Sequence, residues 1–376
     1  MKILIVAANA RSLIANRGDL INSLNSCHTH IWAVVPRYDF LDQVNDLGIT
    51  IKVWNMSRVS LGVWSNTKAI KELKEIIDEV KPNKIFAFGV KCNLYTLVIR
   101  RVFMNNLDVY PMITGLGYAF TGNTWRQRIV RHVILLSYRL LRDSASCFLF
   151  QNRDDSNLFK EAGIIDESVN FFITNGSGVN TDTFYFKPRL VGGTLHFLMV
   201  SRLLNDKGIH EFVEAAKVIR TKYGDAAKFS ILGGHDSSLP NAISHEILNR
   251  WKEEQNVNLL GFTEDVIPFL LDCDVFVLPS YREGTPRSIL EAMSIGRAIV
   301  TTNAPGCNHT VEENVNGFKV EVGSIIGLIK SFERFIGNPD MINAMGLESR
   351  RIVLEKFDVR IVNRGILNAM NIRKNL

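Results

Sequence analysis

Cysteine is scarce and scattered. The five cysteines, Cys27, Cys92, Cys147, Cys273 and Cys307, are odd in number and never form a Cys-x-x-Cys pair. That pattern argues against a zinc site or a disulfide framework and fits a reducing compartment. Long apolar runs are also missing, since no stretch reaches the roughly 18 to 20 residues that a membrane span needs. The opening Met1-Lys2-Ile3-Leu4-Ile5-Val6 resembles the start of a signal peptide. Its apolar part ends at Ala8, and Asn9, Arg11 and Asn16 follow without a cleavage site, so it reads as a buried first strand. No Gly-x-Gly-x-x-Gly follows that strand, which disfavours a nicotinamide dehydrogenase. No segment is low in complexity, and no repeat with a period of about 20 to 50 residues is visible. The sequons at Asn55, Asn175 and Asn308 are the kind that arise by chance at this length.

The 376 residues suffice for two domains of ordinary size, each with its own core. Apolar residues make up 46% and charged residues 22%, a globular balance. The net charge of +6 suits a protein that meets phosphates in nucleotides, nucleic acid or anionic lipid, and does not choose among them. In the second half, short apolar strands alternate with helices. The strands are Thr194 to Val200, Lys228 to Leu232, Val257 to Leu260, Val275 to Leu278 and Ala298 to Thr301. The helices are Ile209 to Tyr223, Asn241 to Gln255, Val266 to Leu271 and Arg287 to Ile295. This alternation predicts a parallel, doubly wound sheet. The first half repeats the alternation less regularly. Its strand candidates are Ile3 to Ala7, Ile31 to Val35, Ile49 to Trp54, Lys84 to Phe88 and Cys147 to Phe150, with a helix over Asn66 to Val80. A Gly-rich polar stretch, Thr174 to Asn180, followed by Phe184 to Gly193 with Pro188, reads as the linker. The expectation is α/β, with two Rossmann-like doubly wound domains over 1–187 and 188–357 facing a central cleft. A last helix, over 358–376, is expected to cross back to the N-terminal domain. Open α/β sheets bind ligands beyond the carboxyl ends of their strands.

Two stretches carry chemistry. Pro279-Ser280-Tyr281-Arg282-Glu283-Gly284-Thr285-Pro286-Arg287 leads from a buried strand into a helix that contains Glu291. Such a junction aims free backbone N–H groups and a positive dipole end at a ligand. Gly284 admits close approach to the backbone, and Glu283 and Glu291 can accept hydrogen bonds from sugar or ribose hydroxyls. Ser201-Arg202-Leu203-Leu204-Asn205-Asp206-Lys207-Gly208 also joins a strand to a helix, and its Arg202 and Lys207 suit a diphosphate. An isolated glutamate or an ordinary polar loop would explain either stretch alone.

The Glu283/Glu291 spacing and the Ser-Arg…Lys-Gly run resemble the retaining family-4 glycosyltransferases of GT-B fold. The likeness covers the C-terminal half closely and the N-terminal half loosely. Gly115-Leu116-Gly117-Tyr118, Asn175-Gly176-Ser177-Gly178-Val179 and Ala304-Pro305-Gly306-Cys307 resemble the branch that builds bacterial surface polysaccharides such as O-antigen and capsule. The resemblance implies that Arg202 and Lys207 bind the donor diphosphate, that Glu291 holds the ribose, and that Glu283 faces the transferred sugar. Amides near Gly284 and Thr285 would assist. It further implies catalysis by Glu283, Arg202 and Lys207 without a metal or other cofactor. The donor would be a nucleotide-sugar, with UDP expected, and the acceptor a lipid-linked saccharide at the cytoplasmic face of the inner membrane. No nucleic-acid partner is expected. Three departures bear on which sugar is moved. Met112-Ile113-Thr114-Gly115 lacks the histidine many members carry, Asn303 stands where many have an acid, and Asn308-His309 stand where many have Arg-Glu.

Acceptor-side candidates are Thr114 and Gly115, with Arg11 and Arg17 in the expected loop after the first strand, either on the acceptor diphosphate or solvated at the surface. Asp272-Cys273-Asp274 resembles a metal-binding Asp-x-Asp. It precedes a strand, at the edge away from ligands, and reads as structural. Trp125 to Arg142 mixes Arg126, Arg128, Arg131, His132, Arg139 and Arg142 with apolar residues. It is either a membrane-surface helix or a core helix with a solvated basic face. Two rival classes stay open: a sugar-nucleotide epimerase or hydrolase of the same fold, and a non-catalytic basic membrane adaptor. The first lacks a His-carboxylate cluster, and the second leaves the two motifs unexplained.

Overall fold

A computed structural model describes residues 1–36, 47–57, 63–122, 124–189, 192–239 and 241–373. The chain divides into two compact units, residues 1–178 with 359–376, and residues 179–358.

The strands of unit 1 are β1 (Lys2–Ala7), β2 (His30–Pro36), β3 (Thr50–Trp54), β4 (Lys84–Phe88), β5 (Asp108–Ile113), β6 (Phe148–Phe150) and β7 (Phe171–Ile173). They form one sheet in the order β3-β2-β1-β4-β5-β6-β7, and every pairing is parallel. Parallel strands carry helices on both faces and so read as continuous apolar runs. In β1 the alternation splits the run. Leu4 and Val6 enter one core, and Ile3, Ile5 and Ala7 enter the core on the other face. The helices are α1 (Ala10–Asn25), α2 (Val63–Val80), α3 (Val90–Phe103), α4 (Trp125–Leu141) and α5 (Arg153–Glu161). Asn9 caps α1, its side chain accepting from the Ser12 amide at 2.5 Å. The helix therefore starts directly after β1. Arg11 and Arg17 lie on it, and the expected loop does not form there. The strands β5 and β7 were not foreseen.

The strands of unit 2 are β8 (Leu195–Val200), β9 (Ala227–Leu232), β10 (Asn258–Gly261), β11 (Val275–Leu278), β12 (Ala298–Thr302) and β13 (Gly317–Val320). Its helices are α6 (Ile209–Tyr223), α7 (His245–Glu254), α8 (Ile267–Asp272), α9 (Arg287–Ile295), α10 (Ile325–Gly337) and α11 (Asp340–Ile352). The sheet is parallel, in the order β10-β9-β8-β11-β12-β13. Phe197, Phe229 and Phe332 anchor its core, with ring centroids 4.7 to 5.4 Å apart. Phe184 joins that core, and the Lys187 amide donates to the Ile295 carbonyl, so 179–187 pack with unit 2. The helix expected from Asn241 begins at His245 instead. Ser244 caps it, and the Asn241 carbonyl is taken by the Asn205 amide at 2.9 Å. The final helix, α12 (Val359–Ala369), packs on α1 in unit 1, where Val362, Ile366, Leu367 and Met370 enter the core. It ends at Ala369, short of the expected 358–376, of which 374–376 lie outside the described residues.

Candidate donor site in unit 2

In unit 2 the strand order reverses between β8 and β11. That is the switch point at which open parallel sheets bind ligands. Three loops leave the carboxyl ends here, Ser201–Gly208 after β8, Pro279–Pro286 after β11 and Asn303–Cys307 after β12, and their backbones touch. The Tyr281 amide donates to the Asp206 carbonyl at 2.9 Å, and the Glu283 amide to the Pro305 carbonyl at 3.0 Å. Two glycines permit this. Gly208 has φ +73°, and a Cβ there would lie 2.1 Å from the Pro279 carbonyl oxygen. Gly306 has φ +82°, and its Cβ would lie 2.1 Å from the Glu283 carbonyl oxygen. Any side chain at either position would push the loops apart.

The packed loops bring together two residues far apart in sequence. Lys207 Nζ donates to Glu283 Oε1 at 2.6 Å, and Ser280 Oγ donates to the same oxygen at 3.0 Å. The two charged side chains are only 11% and 20% exposed, so the pair is held in place and partly dried. Burial works against the Lys207 charge, but the pull of Glu283 and Asp206 more than offsets it and raises the lysine above its ordinary pKa of 10.5. Lys207 is therefore a fixed cation. Arg202 lies exposed at the end of β8 and acts on both Lys207 and Asp236 through its charge. Tyr281 OH donates to Glu211 Oε1 at 2.6 Å, and burial with this bond pushes the phenol up to about 12. That bond ties the loop to the first turn of α6.

Neither α6 nor α9 has a side-chain N-cap, whereas Ser244 and Ser324 cap α7 and α10. Uncapped first-turn amides near the fixed Lys207 form an arrangement suited to an anion. Glu291 stands one turn into α9, accepting from Arg287 Nε at 2.7 Å. Burial raises its pKa above 4.5 despite that arginine. Gly284 and Thr285 are buried, and Thr285 Oγ1 is 3.2 Å from His309 Nε2. The sequence reading did not give roles to Ser280, Tyr281, Asp206, Glu211 or His309. Ser280 and Tyr281 lie in the Pro279–Arg287 stretch, but no spacing rule ties Tyr281 to Glu211.

Asp272 and Asp274 sit at the opposite edge of the sheet. Asp274 accepts from Arg189 Nε at 2.9 Å and from the His196 amide at 2.8 Å. Asp272 accepts from Lys228 Nζ at 3.0 Å and lies 3.1 Å from His196 Nδ1. These carboxylates tie α8 and β11 to β8 and β9.

In unit 1 the acceptor-side candidates meet different fates. Arg11 is exposed in the first turn of α1. Thr114 and Gly115 follow β5 at the carboxyl edge, where Gly115 has φ +95°. Arg17 is 1% exposed, which contradicts surface solvation. Its guanidinium lies 5.7 and 5.4 Å from the ring centroids of Phe86 and Phe88, with Nη2 2.7 Å from Met112 Sδ. It faces inward because the helical turn places it over the sheet, on the side of Leu13 and Leu20.

Two doubly wound parallel units define the GT-B class of fold, and the solved structures agree. The sucrose-phosphate synthase of Thermosynechococcus elongatus superposes with a TM-score of 0.81 over 99% of this chain and 98% of that one, at 15% identity. The chain belongs to the family Glycosyl transferases group 1, whose pattern matches residues 180–351. An uncharacterised glycosyltransferase of Haemophilus influenzae is 31% identical over 80% of both chains. The N,N'-diacetylbacillosaminyl-diphospho-undecaprenol alpha-1,3-N-acetylgalactosaminyltransferase of Campylobacter jejuni is 27% identical over 84% of both chains. The protein is a glycosyltransferase.

Proposed function

We propose that this enzyme transfers a hexose or N-acetylhexosamine from a UDP-linked donor to a saccharide carried on a lipid diphosphate, with retention at the anomeric carbon. The observation that carries the donor half is the buried Lys207–Glu283 pair at the switch point of unit 2. Lys207 and Arg202 meet the diphosphate, and the first-turn amides of α6 and α9 with the backbone at Gly284 and Thr285 complete its cradle. Glu291 accepts from the ribose hydroxyls and Glu283 from those of the transferred sugar. The acceptor half draws on the Campylobacter relative, whose name specifies a diphospho-undecaprenol acceptor.

As the bond from the anomeric carbon to the β-phosphate oxygen breaks, negative charge grows on the leaving diphosphate. Fixed cations and amides stabilise that charge, without a metal ion. The departing phosphate oxygen takes the acceptor hydroxyl's proton while the acceptor oxygen bonds to the anomeric carbon on the same face. No side-chain nucleophile is required. Incubation with radiolabelled UDP-sugars and a bacterial lipid extract tests this reading. Label in the lipid phase, with an α-linked product, supports it. Isomerised or hydrolysed donor, or binding without turnover, overturns it.

A further inference from the structure

The outward face of α4 has no cover in unit 1. Trp125, Ile129, Val133, Leu136 and Leu140 are each 46 to 67% exposed. Their spacing of four, four, three and four residues draws one stripe along the helix. Exposed Arg128, His132 and Arg139 flank it on one side and exposed Arg126 on the other, and no acidic residue occurs in α4. The opposite face is built in, with Gln127 and Tyr138 buried and Ile134 and Leu135 packed on the core. The structure thereby separates the six cationic residues of this segment. Arg131 donates to the Ala119 carbonyl at 3.2 Å and to the Gly122 carbonyl at 2.6 Å, and Arg142 donates to Asp166 at 2.6 Å. Those two hold unit 1 together, and the other four border the apolar stripe.

We propose that α4 lies flat on an anionic lipid bilayer, with its five apolar side chains among the acyl chains and Arg126, Arg128, His132 and Arg139 at the headgroups. A wide apolar stripe flanked by cations and free of acidic residues matches the chemistry of that surface. Trp125 at the end of the stripe suits the level of the headgroups. Arg131 transmits the docking. It clamps the 117–122 segment, which continues from the candidate acceptor residues Thr114 and Gly115, to the buried side of α4. A docked helix thus fixes the height of that loop above the membrane. The inference deepens the proposed lipid-linked acceptor and rests on it for its purpose, but its test is separate.

The test is flotation with vesicles rich in phosphatidylglycerol and with pure phosphatidylcholine vesicles. It uses the wild type, a Val133→Ser/Leu136→Ser/Leu140→Ser variant and an Arg126→Gln/Arg128→Gln/Arg139→Gln variant. All six positions are exposed, and circular dichroism checks that both variants fold. The wild type is expected to float with the anionic vesicles, less at high salt. The arginine variant should bind them roughly a hundredfold more weakly, and the apolar variant should lose at least about tenfold. Both variants should still transfer sugar to a short-chain, water-soluble acceptor analogue. Equal flotation with both lipids, or variants that float like the wild type, overturns the proposal. So does a change of sedimenting mass in the apolar variant without a change in flotation, because α4 would then cover a second copy of the chain. Absent flotation with intact transfer defeats the docking alone. Intact flotation with no transfer to any acceptor defeats the proposed function alone.

Discussion

The two edges of the sheet in unit 2 carry similar charges in different surroundings. At the amino edge Arg189, His196, Lys228, Asp272 and Asp274 form a closed network in which each carboxylate is satisfied by the surrounding frame. At the carboxyl edge Lys207 and Glu283 are joined as tightly, yet glycine-threaded loops and uncapped helix starts surround them. Ion pairing therefore does not mark a site. What distinguishes the proposed site is pairing placed where the sheet topology opens and where two helix starts lack side-chain caps.

Substitutions at the two edges should separate stability from catalysis. Asp274→Ala leaves the His196 amide without its partner beside a 2% exposed position, removes one of Arg189's two carboxylate neighbours, and should cost about 3 kcal/mol of stability. Urea unfolding measures the loss, and turnover per folded molecule should stay near normal. Lys207→Ala and Arg202→Ala should each lose about 2 to 4 kcal/mol of transition-state stabilisation, read as kcat/KM per folded molecule, and Lys207→Ala, which leaves Glu283 without its cation, should also lower the unfolding midpoint. If Asp274→Ala abolishes turnover in the folded fraction while Lys207→Ala spares it, the functional edge has been misassigned.

A smaller effect should come from pH. Burial first, then the neighbouring Lys228 charge, holds His196 below its ordinary 6.5, against the opposing pull of Asp272. The unfolded chain then binds the proton more readily than the folded one. The stability this gives is present above pH 6.5 and is lost as pH falls toward the lowered value. Melting temperatures between pH 7.5 and 5.5 should fall more for the wild type than for His196→Gln; parallel falls would remove His196 from the account. The smallest expected effect is that of EDTA, since the leaving-group charge is assigned to side chains and amides. Loss of transfer in excess EDTA, restored by manganese or magnesium, would return Asp272 and Asp274 to consideration.

The sequence showed unit 2 better than unit 1, for physical reasons. Helices Ile209–Tyr223 and Arg287–Ile295 and strand Val275–Leu278 match the expectation end to end, because apolar periodicity there is unbroken. β5 hid behind Pro111, which reads as a strand breaker although the strand pairs on both sides. β7 spans only three residues, and β13 opens on Gly317, where a Cβ would lie 1.8 Å from the Ile299 carbonyl oxygen. Arg17 was legible as a cation but not as a buried one, since its aromatic walls come from β4, far along the chain. The two candidate donor motifs were visible as stretches. The bond between Lys207 and Glu283 was not, because it forms only when β8 and β11 become neighbours in the sheet.

The central claim is that the carboxyl edge of unit 2 binds the donor diphosphate through Lys207. Calorimetric titration of UDP into the wild type and the folded Lys207→Ala and Asp274→Ala variants tests it most directly. The account predicts that Lys207→Ala weakens UDP binding by roughly tenfold or more, the loss of one charge-assisted contact, while Asp274→Ala binds as the wild type does. Unchanged UDP affinity in Lys207→Ala, or its loss in folded Asp274→Ala, would contradict it.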